Sequence, residues 1–188
     1  VDAAGRTDLE IARAILLQLG VSARRIDEGL AGLRAAATEA YARRVPDDLS
    51  STVLPGMGEL LAELAPRDDV RLSLVTGNLQ PIARMKLAAA GVGHYFPAGQ
   101  GGFGSDSEDR TRLPAVARTR AGTADDPYPR ERTVVIGDTP RDIACARADG
   151  VRVLAVATGR FRVDDLGGAD AVAPDGRALR GLVAELLR

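Results

Sequence analysis

The stretch RTVVIGDTPRDIACARADG, Arg132 to Gly150, decides how the chain is read. Thr133 to Ile136 are β-prone residues and predict a buried strand. That strand runs through Gly137-Asp138-Thr139-Pro140-Arg141-Asp142 into a small-residue helix that Gly150 closes. Thr139 can cap the helix, Pro140 suits its first position, and Asp142 stands where a capping-box acid would. Two carboxylates are therefore expected at the carboxyl end of a parallel-type strand, where open α/β sheets hold their ligands. Thr139 already supplies a cap and Gly137 permits a sharp turn, so Asp138 points to a site. Asp142 reads either as cap or as part of that site.

The flanking sequence repeats the pattern. Val70 to Val75 alternates as a strand, ends in Thr76-Gly77-Asn78, and is followed by a helix that Gly91 stops. Downstream, Val151 to Ala157 predicts a strand ending in Thr158-Gly159, and a short strand near Ala171 precedes a last helix with Leu179, Leu182, Val183 and Leu186. Strands alternating with helices predict an α/β fold, a Rossmann-like parallel sheet covered on both faces.

Upstream, Thr7-Asp8-Leu9-Glu10 reads as a capping box opening a helix to about Leu19. A second helix over about Ala23 to Arg43 carries Ile26, Leu30, Leu33, Ala37 and Tyr41 at helical spacing. Residues 1–50 are read as a small helical cap, with 1–6 leading into it and 45–50 as a hinge, and residues 51–188 as the α/β core. GQGGFG, Gly99 to Gly104, matches a dinucleotide fingerprint in form only. Without a strand before it, and with Asp106, Glu108 and Asp109 after it, it reads as a flexible loop.

Composition narrows the function classes. The 188 residues carry a net charge of -1 with scattered charges, which gives no reason to expect nucleic acid. No signal peptide or apolar span is visible, so no membrane partner is expected and the cytoplasm is the default location. Cys145, the one cysteine, excludes an intrachain disulfide and reads as a small packing residue, and His94 beside Tyr95 reads as packing or surface. Hydroxyl and backbone amides at Thr76-Gly77-Asn78 can hold a phosphate oxygen, and Asp138 with Asp142 can hold a hard cation such as Mg²⁺. Together they point to phosphoryl chemistry.

On LSLVTGN and VVIGDTPRDIACARADG the chain resembles the haloacid dehalogenase superfamily, specifically its phosphatase-like, phosphoglycolate phosphatase-like members with a small helical cap. AAGRTD, the helical pair and LPGM resemble the stretch that enters the cap and returns to the core. The resemblance implies that Thr76 binds the transferring phosphoryl group, that Gly77 and Asn78 contact substrate, and that Asp138 holds Mg²⁺ with Asp142 as a second acid. Its third motif, a Lys or Arg, best matches Arg110, with Arg112 the poorer candidate. Paired acids favour metal-dependent hydrolysis of a small phosphorylated metabolite over cleavage of a carbon–halogen bond.

One departure stands out. The family's first motif, an apolar strand ending in DxD with the nucleophilic Asp, is absent. The early acids Asp2 and Asp8 follow no strand. In the family that strand is the sheet's centre, between those ending at Val75 and Ile136. Without it the chain is expected to be inactive and prone to self-association through an open sheet. Either the true amino terminus lies further upstream, or the chain is a catalytically dead binding or scaffolding relative.

Overall fold

The computed structural model describes residues 3–188, so Val1 and Asp2, the start of the segment read as leading into the cap, lie outside the described residues. Strand β3 (Val134–Gly137), helix α6 (Pro140–Asp149) and strand β4 (Arg152–Val156) form the unit around which the rest packs. Strand β5 (Ala171–Ala173) extends this parallel sheet in the order β3-β4-β5. Successive residues of β4 face opposite ways. Val153 and Ala155 pack with Val135, Ile143 and Ala146, whereas Leu154 and Val156 pack with Leu60, Leu179 and Val183. These last three belong to helices α3 (Met57–Leu64) and α7 (Gly176–Leu186). Both faces are thus covered, which is why these strands read as continuous apolar runs.

A second parallel pair joins β1 (Val75–Thr76), which precedes α4 (Gln80–Ala89), to β2 (Gly102–Phe103), which precedes α5 (Leu113–Ala121). Helices α1 (Asp8–Gln18) and α2 (Ala23–Ala42) pack on α4 through Leu9, Leu30, Leu33 and Tyr41 against Leu79 and Ile82. Thr7 caps α1 by accepting from the Glu10 amide. The expected reciprocal arm is missing, because the Glu10 carboxylate pairs with Arg6 instead.

Two expectations are corrected. The segment Gly99 to Gly104 is not a flexible loop. Gly102 and Phe103 form a buried strand, and a Cβ on Gly102 would collide with the backbone of Leu113 on α5. Its glycines let a helix approach closely rather than cradle a phosphate. The strand expected over Val70 to Val75 is paired only at Val75 and Thr76, for it has a neighbour on one edge alone.

Among the described residues β1 and β3 belong to separate sheets. A cavity of about 530 Å³ lies between them, lined by Val70 to Val75 on one side and Thr133 to Ile136 on the other. Helices α5 and α6 are joined below it by a buried ion pair. Arg118 donates to both carboxylate oxygens of Asp149 at 2.7 and 2.9 Å, and also to the Tyr128 carbonyl. Among the described residues no helix is long and apolar enough to cross a membrane.

Candidate functional site

The loop from β3 into α6 folds as its sequence demands. Thr139 accepts from the Asp142 amide, and the Asp142 carboxylate returns to the cap, completing the capping box. Asp142 Oδ2 accepts from the amides of Asp138 and Thr139 at 3.1 and 3.0 Å and from the Thr139 hydroxyl at 2.8 Å. Its other oxygen, Oδ1, accepts from Arg110 at 2.5 Å. Gly137 makes this possible, since a Cβ there would strike the Asp142 side chain. Both oxygens of Asp142 are therefore engaged within the protein.

Asp138 differs from it in kind. Its carboxylate is half-buried at the carboxyl end of β3, and Gly159, beyond β4, leaves it room: a Cβ there would lie 2.9 Å from Asp138 Oδ2. Burial raises its pKa above the ordinary carboxylate value, and the neighbouring charge of Asp142 raises it further. A carboxylate that is costly to ionise in the folded state lowers stability as pH rises from the unfolded pKa through the raised folded one. Asp138→Asn is therefore expected to raise the melting temperature at neutral pH and to leave it unchanged below pH 3. Thermal melts across pH 3 to 7 check this, and a variant less stable at pH 7 would contradict it.

The turn after β1 lies at the same end of the molecule. The Thr76 hydroxyl accepts from the Asn78 amide at 3.2 Å. Gly77 packs so closely on the Arg6 carbonyl that a Cβ would overlap it, while Gly5 lies against Thr139 Oγ1 and Arg141. Adjacent residues of one chain thus touch both turns, which brings the ends of β1 and β3 within about 10 Å. Thr76 and Gly77 at the end of β1, and Asp138 and Asp142 after β3 with Arg110 on Asp142, therefore lie at one end of the fold. Arg112 does not join them: its side chain is 76% exposed and stands 3.8 Å from Asp109.

Asn78 is held at both ends of its amide. Its Nδ2 donates to Asp8 Oδ1 at 3.0 Å, and its Oδ1 accepts from Lys86 at 3.0 Å. Asp8 Oδ2 also accepts from the Leu79 amide at 2.8 Å, so an acid on α1 caps α4 across the fold. Arg13 on α1 grips Glu108 through Nε at 2.5 Å and through its second nitrogen at 2.8 Å, and Thr7 donates to the Glu108 carbonyl. These contacts fasten α1 to the loop that carries Arg110. Asp8, Lys86 and Glu108 were not among the residues expected from the sequence, since no local spacing links them to the turns they hold. Cys145 is fully buried, with its thiol pKa pushed up by desolvation, and His94 is exposed beside Tyr95.

Asp138 is the one acid of the pair with a carboxylate not already consumed by capping. Among the described residues no three His, Cys, Asp or Glu side chains converge. This donor set fits a cation that keeps most of its waters and leans on one protein carboxylate, as Mg²⁺ does.

Three comparisons bear on what this edge belongs to. The family model for haloacid dehalogenase-like hydrolases matches residues 3–147. The chain is 31% identical over 114 residues to the tyrosine-protein kinase PtkA of Mycobacterium tuberculosis and of Mycobacterium bovis, an alignment covering 61% of this chain and 38% of those relatives. It therefore spans well under half the length of the curated relatives it matches. Its fold is similar to that of CbbY from Rhodobacter sphaeroides, solved in complex with phosphate, with a TM-score of 0.58, 23% identity, and coverage of 78% of this chain and 64% of that one. With most of its length matched by that family model and its strands and turns laid out accordingly, the chain belongs to the haloacid dehalogenase-like hydrolases.

Proposed function

We propose that the edge formed by Thr76, Gly77, Arg110 and Asp138 is the phosphoryl-binding part of a Mg²⁺-dependent phosphatase site for a small phosphorylated metabolite. The observation that carries this reading is the convergence of the β1 and β3 turns through residues 5 and 6, which sets a hydroxyl and backbone amides beside a free, half-buried carboxylate. Thr76 and the amides after it would bind phosphate oxygens. Asp138 would hold Mg²⁺, which screens the charge of phosphate and attacking carboxylate. Arg110, fixed on Asp142, would keep the site's positive charge in place, and Asp142 would serve through Asp138, whose amide it orients. The helical pair α1–α2, fastened by Arg13 and Asp8, would act as the substrate-selecting cap.

The reaction expected of such a site runs in two steps, attack of an Asp on phosphorus and hydrolysis of the acyl phosphate. Among the described strands only β3 is followed at once by acids suited to this edge, and on this reading Asp138 would hold the metal and not attack phosphorus. The 188-residue chain alone is therefore expected to release no phosphate from an aryl phosphate in the presence of Mg²⁺. Turnover by the chain alone, with an acyl phosphate trapped on Asp138, would show instead that Asp138 is the nucleophile. The kinase relative favours a second reading, phosphoryl transfer to a tyrosine hydroxyl. Incubation with γ-labelled ATP and a tyrosine peptide separates the two, since labelled peptide appears only under the second.

A further inference from the structure

We propose that the groove between α2 and the first turn of α4 is a second ligand site, which takes a small organic carboxylate with an apolar body. The claim concerns binding and stands whether or not phosphoryl chemistry occurs at the edge formed by Thr76 and Asp138. Helix α2 carries two stripes side by side. Leu30, Leu33, Ala37 and Tyr41 pack against Leu79 and Ile82, and the neighbouring stripe of Arg34, Ala35, Thr38 and Ala42 walls a cavity of about 510 Å³. Leu79, Gln80 and Pro81 at the start of α4, with Ser105 after β2, make the facing wall. The volume is that of a small-molecule site. Thr76, Gly77, Arg110 and Asp138 do not line it, so the groove is distinct from the phosphoryl edge.

Arg34 is the centre of this groove. Along the same helix Arg24 pairs with Glu28 four residues on, and Arg43 pairs with Glu39 four residues back. The corresponding positions around Arg34 hold Leu30, Ala31, Ala37 and Thr38, none of them acidic. Among the described residues its guanidinium meets no carboxylate, carbonyl or ring, and its Nε is buried without an acceptor. A half-buried charge that gives up part of its hydration without an ion pair is costly, and an anion in the groove offsets that cost. Three neutral groups beside it are uncommitted too. The Thr38 hydroxyl does not bond back to the carbonyl of Arg34, as a helical threonine can, and the Gln80 side-chain amide has no partner among the described residues. Ser105 Oγ accepts from the Gln80 backbone amide at 2.7 Å, which leaves its own proton to donate.

These features select the ligand. Glu39 also lines the groove, but Arg43 neutralises it, so one uncompensated positive charge remains. That charge matches the single negative charge of a carboxylate better than the double charge of a phosphate monoester. Ala35, Ala42, Leu79 and Pro81 cover an apolar body, which an inorganic ion lacks. The hydroxyls of Thr38 and Ser105 and the amide of Gln80 suit a hydroxyl or carbonyl carried on that body. A wholly apolar ligand would bury Arg34 and these neighbours unpaired.

The test is an NMR titration of the 188-residue chain with 4-hydroxyphenylacetate. The expected result is saturable one-to-one binding with a Kd of about 1 mM or tighter, as suits a ligand of this size. Amide shifts should concentrate at 34–42, at Leu79, Gln80 and Ile82, and at Ser105. The neutral amide of the same acid, and acetate, which lacks the body, should each bind about tenfold more weakly or worse. Arg34→Gln should weaken binding of the acid by about the same factor while leaving the melting temperature near its original value, since no partner within the chain is lost. Ala35→Leu, which fills the groove from an exposed helical position, should block binding without unfolding the chain. Arg25→Gln, on the same helix but outside the groove, should change neither binding nor melting. Equal binding of the amide, unchanged binding in Arg34→Gln, or absence of binding would overturn the proposal. So would shifts centred on 76–78 and 138–142, which would place the probe at the phosphoryl edge instead.

Discussion

Asp149→Ala is expected to destabilise the fold by about 3–5 kcal/mol, because it leaves Arg118 as an unpaired buried charge. Arg118 lies 8% exposed on α5, and Asp149 closes α6, where its side chain is 2% exposed. The guanidinium is met by both carboxylate oxygens and by the Tyr128 carbonyl, which gives each of its three nitrogens a partner. A guanidinium keeps its proton with or without a partner, so Arg118 cannot escape the cost by losing its charge. Arg130 adds a second tie by donating to the Asp149 carbonyl. For a chain of this size the loss corresponds to a fall in melting temperature of roughly 6–20 °C. Differential scanning calorimetry measures it directly, and a fall under about 2 °C would show the pair to be solvated. The double replacement Arg118→Met with Asp149→Leu should recover most of the loss, since an apolar pair carries no unpaired charge.

The pair matters to the site because α5 and α6 flank it. Arg110 lies just before α5 and reaches Asp142 in the first turn of α6. The Arg118–Asp149 contact fixes the far ends of the same two helices, so the Arg110 side chain is aimed by two ion pairs rather than one.

Much of this was legible in the sequence where the physics is local. The capping box Thr139-Pro140-Arg141-Asp142, the stop at Gly150, and the βα unit ending in Thr76-Gly77-Asn78 follow from neighbouring residues, and all three are present in the structure. What was hidden depends on partners distant in the chain. Within GQGGFG, Gly102 and Phe103 form a strand by pairing with β1 close under α5, and the glycines give no hint of either neighbour. Asp8 caps α4 from 71 residues away, and Arg118 meets Asp149 across 31. The alternation of Val70 to Val75 announces a strand, but pairing requires a neighbour that local pattern cannot supply. Asp142 was open between cap and metal shell in the sequence. In the structure both its oxygens accept hydrogen bonds, from the Thr139 cap and from Arg110, and the Asp138 carboxylate takes part in neither.

That division of labour between the two acids yields the largest functional effect. In Mg²⁺-free buffer the charge of Asp138 repels phosphate, so the chain should bind inorganic phosphate weakly. Mg²⁺ should strengthen that binding at least a hundredfold, because the cation reverses the sign of the local charge. Asp138→Asn should remove the effect from both ends, binding phosphate somewhat better than the parent without Mg²⁺ and no better with it. Thr76→Val should weaken binding about tenfold or more in either buffer, the loss expected for one hydrogen bond to a charged group. Arg112→Ala, at an exposed position remote from Asp142, should change neither.

Calorimetric titration of inorganic phosphate into the parent chain and Asp138→Asn, each with and without Mg²⁺, tests the central claim most directly. The account predicts strong Mg²⁺ dependence in the parent and none in the variant. Phosphate binding that depends equally on Mg²⁺ in both proteins would contradict it.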